Sequence, residues 1–197
     1  MIGIISSNTA EGKNDPREKG WVTGFMNKKS LHLGVTAALF GALIFVVTAY
    51  ILHIPTPATG GYIHLGDAFV YLAASMLPAP YAVAAAGIGE ALSDALTGSL
   101  VYALPTLLIK SLMALCFSTA GAKLLTKRNV AATFVAGAVC VGGYYLTEAA
   151  LLHSFASPLV EIVPNLVQAG ASAAIYLLLA RALDRIRMKD RVAAFVH

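Results

Sequence analysis

Seven polar side chains interrupt otherwise apolar stretches of this 197-residue sequence: Asp67, Glu90, Asp94, Lys110, Glu148, Asn165 and Gln168. In an apolar setting such groups can transfer a proton, pass an ion, or hold a ligand by directed hydrogen bonds. A charge inside hydrocarbon costs about 2.5–3.5 kcal/mol on insertion scales, so each calls for a partner or a task. Helical spacing groups them. Glu90 and Asp94 are four apart and share a helix face, as do Tyr144 with Glu148 and Thr106 with Lys110. Asn165, Gln168, Ser172 and Tyr176 line one stripe. Aromatic walls with a few fixed polar groups suit a small planar ligand. Cys116 and Cys140 lie in apolar runs and read as small hydrophobes, and His64 and His153 read as interfacial. No metal site and no cofactor are expected.

The composition dictates what must position these groups. Hydrophobic residues make up 58% of the chain and charged residues 12%. A soluble domain carries about 25% charged residues, and a disordered chain needs low hydrophobicity, so both classes are excluded. Runs such as Val35 to Ile54 are apolar at almost every position, unlike the alternating strands of an outer-membrane barrel. The pattern predicts helices over 31–53, 66–78, 81–97, 102–124, 130–153 and 164–184. The net charge of +4 points away from nucleic acid once its placement is seen. The 14 basic residues precede the first run, follow the last, or sit at Lys123, Lys127 and Arg128; Lys110 alone lies inside a run. Six crossings put all three clusters on the cytoplasmic side, as the positive-inside rule requires. The fold expected is an all-α, polytopic bundle of six transmembrane helices with both termini cytoplasmic. Residues 1–30 form a cytoplasmic arm, 31–185 the substrate-binding bundle and 186–197 a basic tail. No signal peptide is expected, because the basic stretch leads into a run of span length.

Depth sharpens the reading. With these boundaries the polar groups gather in the outer half of the bundle, which describes a pocket open outward and closed below. A proton path would spread them through the full thickness. The linker 54–65, rich in Pro and Gly, is long enough to act as a lid. Helix 2 is too short to cross about 30 Å of hydrocarbon, so it forms a hairpin with helix 3 that is covered by protein or sits in a thinned bilayer. Structural roles compete with ligand binding: Asp94 and Lys110 as a buried pair, Asp67 as a helix N-cap, Asn165 and Gln168 as interhelical glue. Gly34, Ala38 and Ala42 repeat every four residues on helix 1. They form either a packing face within the bundle or a docking face for a partner.

Four stretches resemble the S components of energy-coupling factor (ECF) transporters, small membrane proteins that capture vitamins. They are Gly61-Tyr-Ile-His-Leu-Gly-Asp67, Gly87-Ile-Gly-Glu-Ala-Leu-Ser-Asp94 through Gly98, Pro105-Thr-Leu-Leu-Ile-Lys110 and Pro164-Asn-Leu-Val-Gln168. The likeness covers about residues 31–185 and is nearest the branch with riboflavin, hydroxymethylpyrimidine and pyridoxine members. It implies substrate binding near the outer face under the loop after helix 1. It further implies assembly with a transmembrane scaffold, through Gly34, Ala38 and Ala42, and with two cytosolic ATPases. The substrate would be released inside by toppling of the S component in the membrane. The chain has no Walker A sequence of its own. Glu90 stands where the family usually has a small or neutral residue.

Charge limits the substrate. Four carboxylates against one Lys would reject an anionic vitamin and favour a neutral or weakly basic heteroaromatic, of hydroxymethylpyrimidine or pyridoxine type. Asp67, Glu90, Asp94, Lys110, Tyr144, Glu148, Asn165, Gln168 and Tyr176 are the candidate binding residues. Two other classes compete. A stand-alone secondary transporter is disfavoured by the lack of an internal repeat. An intramembrane enzyme would have to use Glu90 and Asp94 as acid and base, with no nucleophile or metal motif beside them.

Overall fold

The computed structural model describes residues 28–51, 53–56 and 61–196; most of the expected N-terminal arm lies outside the described residues. Helix α1 (Lys28–Tyr50) leads into a hairpin of β1 (Ile54–Thr56) and β2 (Gly61–Ile63). Then come α2 (Asp67–Met76), α3 (Ala79–Leu96), a 3-10 turn (Leu100–Tyr102) and α4 (Ala103–Leu115). The long helices α5 (Lys127–Leu151) and α6 (Leu159–Arg185) and the short α7 (Met188–Val196) complete the chain. Helices α1, α5 and α6 are long and apolar enough to cross a membrane. Their outward faces keep large apolar residues such as Leu39, Phe134, Leu146 and Leu178 exposed, while Lys110 and Asp67 are buried. That inversion of the soluble pattern suits a lipid surround.

Helix α2 is the hub. It packs against α1, α3, α4 and α6, and eight of its ten residues are buried. Ten residues rise only about 15 Å. The helix tolerates that because neighbouring helices, not lipid, surround its backbone ends. Leu77 is extended ahead of Pro78 (φ −101°, ψ 147°), as the residue before a proline prefers. Helix α3 then starts at Ala79, two residues earlier than expected, because Pro80 falls in its first turn, where no N–H is needed. Helices α1 and α3 touch backbone to backbone: a Cβ on Gly89 would lie 2.7 Å from the carbonyl oxygen of Gly41.

Three expectations are corrected. The fold is not purely α, because the segment after α1 forms a two-stranded antiparallel ribbon pairing Ile54 with Ile63 and Pro55 with Tyr62. The fourth helix ends at Leu115 rather than 124. Polar side chains hold the departing chain there instead. Asn129 binds the Ser118 N–H and C=O and the Leu124 C=O, and Asp184 accepts from the Leu124 and Leu125 N–H groups. The sixth helix starts at Leu159, so Pro164 lies inside its second turn. The expected tail contains α7, an amphipathic stretch set off from α6 by Arg187, whose φ is 50°.

Candidate functional site

The run Leu65-Gly66-Asp67 has a direct geometric meaning. A Cβ on Gly66 would collide with the Thr48 hydroxyl and approach Glu90 Oε1 to 2.7 Å, so glycine alone fits where α2 begins. Asp67 is then fully buried, and its Oδ1 accepts from Lys110 Nζ of α4 at 2.5 Å. Its Oδ2 accepts from Gln168 Nε2 of α6 at 2.9 Å. Gln168 Oε1 in turn accepts the His64 backbone N–H at 3.0 Å, which fixes the orientation of its amide. The pair therefore ties α2 to α4 and, through Gln168, to α6 and the hairpin. Lys110 partners Asp67 rather than Asp94, which corrects the expected pair. Asp67 is also not an N-cap: Gly66 occupies that position and makes no side-chain cap.

His64 is buried rather than interfacial. Its Nδ1 accepts the Gly66 N–H at 3.1 Å, so Nε2 carries the proton and points towards Glu90 Oε2 at 3.6 Å. Burial, with Lys110 nearby, pulls its pKa from 6.5 down to about 3, so the ring is neutral at physiological pH. His64, Asp67 and Glu90 present ligand atoms within 4.8 Å of one another. The Lys110 ammonium already serves Asp67 as its cation, and the ion pair accounts for this geometry.

Above that layer lies a pocket enclosing about 430 Å³ of empty space, its open mouth included. Tyr62, Ile63 and His64 of the hairpin form one wall. Asp94 of α3 and Tyr102 of the 3-10 turn form a second. Tyr144 and Glu148 of α5 face Glu161, Asn165 and Gln168 of α6. Tyr62 OH donates to Asp94 Oδ1 at 2.7 Å, and its ring stacks on His53 at 3.8 Å between centroids. Tyr144 OH and the Thr106 hydroxyl lie 3.0 Å apart. Asp94 Oδ2 and Glu148 Oε2 are buried and have no protein partner among the described residues. Buried polar atoms are nearly always satisfied, so these two oxygens mark where a ligand or water can bind.

Five of the nine expected residues thus meet at the pocket: Asp94, Tyr144, Glu148, Asn165 and Gln168. Asp67 and Lys110 form a buried pair that the pocket does not reach, and Glu90 sits beside His64. Tyr176 is elsewhere. Two turns beyond Gln168 on α6, it donates to the Leu124 carbonyl at 3.2 Å and packs edge-on against Tyr71 and Phe117. A helix stripe is continuous in direction but changes depth by about 1.5 Å per residue, so only its upper part reaches the pocket. The reading missed Tyr62, Ile63, His64, Tyr102 and Glu161. Glu161 is hidden in the sequence because Pro164 looks like a helix start; the Leu-Gly-Asp run is the available signal for the hairpin wall.

On α1, Ala37, Ile44 and Val47 face the bundle and are buried, whereas Ala38 and Ala42 stay exposed. These two, with Gly34, line an open apolar groove completed by Tyr81, Ala85 and Ile88 of α3.

A model of the ECF-type riboflavin transporter S component family matches residues 28–185. The chain belongs to that family. Among curated proteins none matches it significantly. The matched segment runs from the start of α1 to the end of α6, leaving α7 outside, and contains every residue that lines the pocket. As an S component the protein is a membrane transport subunit, not an enzyme. S components bind a vitamin and work with a scaffold and an ATPase module.

Proposed function

We propose that this S component captures a neutral or weakly basic heteroaromatic vitamin, or a precursor of one, in the pocket beneath the β1–β2 hairpin. The observation that carries the reading is the meeting of Asp94, Tyr144, Glu148, Asn165 and Gln168, from three helices, around unpartnered carboxylate oxygens. Asn165 offers its amide to ring edges, Gln168 holds the hairpin end to Asp67 at the pocket floor, Tyr144 and Tyr102 offer faces, and Asp94 and Glu148 accept from amino or hydroxyl groups. Hydroxymethylpyrimidine and pyridoxine types fit this set. The hairpin acts as the lid, because Tyr62 joins it to Asp94 and Ser93 by hydrogen bonds that opening would break.

The protein sits in the cell membrane with six crossings and both termini inside. The placement of Lys and Arg supports that topology. Gly34, Ala38 and Ala42 form the docking face for the scaffold, which two ATPases energise; the open groove along α1 supports this, since internal packing leaves these residues uncovered. Native mass spectrometry of the purified protein should find a retained heteroaromatic. Replacing Ala38 and Ala42 together by Leu should abolish uptake in cells yet leave that ligand bound. Uptake by the protein alone, driven by an ion gradient without ATP, would mark a secondary transporter instead.

A further inference from the structure

The pocket has an unusual charge balance. Three buried carboxylates line it, Asp94, Glu148 and Glu161, and among the described residues no Lys or Arg does. Among the described residues, Lys110 is fully buried and ion-paired to Asp67, with its Nζ 5.4 Å from the Tyr144 ring centre. Its ammonium is committed to Asp67; it attracts the Asp94 carboxylate from a distance but forms no ion pair with Glu148 or Glu161 among the described residues. His64, which does line the pocket, is held neutral because its Nδ1 accepts a backbone N–H and its ring is buried. Asp94 spends one oxygen on Tyr62 and keeps the other free, and Glu148 keeps Oε2 free. Glu161 stands in the first turn of α6, where the helix macrodipole favours negative charge. Glu148 ends α5, so the two carboxylates approach one pocket from two different helices.

We infer that the ligand is an organic cation, a heteroaromatic bearing a protonated amino or quaternary nitrogen, held at the α5–α6 wall by Glu148 and Glu161. This rests on the capture reading above for where the ligand binds and departs from it in the charge of the ligand. Two buried carboxylates without a fixed counter-charge are costly unless the ligand supplies it. Tyr102 and Tyr144 complete the recognition, since aromatic faces attract a desolvated cation. Glu161 is the specificity residue: it lines the pocket from the first turn of α6 and selects charge rather than ring shape.

The test uses the full chain in detergent and matched ligands that differ in charge. Pyridoxamine and thiamine serve as cations, pyridoxine and riboflavin as neutral probes, and pantothenate as the anion, with affinities from titration calorimetry. A cation should bind roughly tenfold or more tighter than its neutral match, as a hydrogen-bonded ion pair allows. Glu148→Gln and Glu161→Gln should each erase that preference, cutting the cation's affinity more than the neutral probe's, with the melting temperature unchanged. Glu161→Lys should turn the preference towards the anion, which a folding defect would not do. Tighter binding of a neutral or anionic probe by the wild type, or Gln variants that keep full cation preference, would overturn the inference and leave the capture reading intact. No heteroaromatic bound at any charge, and none retained on purification, would remove both.

Discussion

His64 shows how one side chain reports on the site. The unfolded imidazole takes up a proton below about pH 6.5, whereas in the fold it resists protonation down to about pH 3. Between those limits the unfolded state binds more protons, so stability is complete above pH 6.5 and falls as the pH drops. The loss from this group is about 1.4 kcal/mol for each pH unit below 6.5. His64→Asn keeps an acceptor near the Gly66 N–H without the titration. Its melting temperature should therefore vary less between pH 7 and pH 4 than that of the wild type, measured in the same detergent. An identical slope in both proteins would show that the imidazole is not buried neutral. The same residue scale explains why Lys110 lies inside a helix at all. Its ammonium pairs with Asp67, and breaking such a buried pair typically costs about 3–5 kcal/mol.

At the scale of elements, close approach decides which helices can form the site. Helices α1 and α3 meet through Gly41 and Gly89, and that contact sets the depth at which Glu90 and Asp94 stand relative to the hairpin. Gly89→Ala would drive a methyl group against backbone, which cannot yield as a side chain does. Overpacking of this kind costs about 1–3 kcal/mol, and the melting temperature should fall accordingly. Gly170→Ala on α6 is the control: a Cβ there meets nothing within 4 Å, and the helix gains about 1 kcal/mol of propensity. A Gly89→Ala protein as stable as wild type would mean that the two helices do not touch there. The helical periods were legible in the sequence. The hairpin was not, because Ile-Pro-Thr and Gly-Tyr-Ile are three-residue strands, too short to show alternation.

For the whole molecule, the arrangement is a bundle whose outward surface is apolar and whose interior carries the charges. The buried α2 anchors it, and the pocket opens at the hairpin end. The proposed six crossings would place residue 156, between α5 and α6, outside and residue 123, between α4 and α5, inside. With Cys116 replaced by Ala and the buried Cys140 retained, Ala156→Cys should react with a membrane-impermeant maleimide on intact cells. Lys123→Cys should react only after permeabilisation. The reverse pattern would invert the topology and put the pocket in the cytoplasm.

Composition and periodicity alone determined that this chain belongs in a membrane, that it is mostly helical, and which polar residues lie in apolar surroundings. These are local properties, written in runs of about 20 residues and in the spacing of charges. Tertiary structure decided which of those residues meet. Lys110 chose Asp67 over Asp94, Tyr176 fell to the far end of α6, and Glu161 came into the pocket because its helix begins before Pro164. Pairing across helices depends on rotation, depth and crossing, and a shift of one turn moves a side chain about 5.4 Å along the axis. No spacing within one helix carries that information.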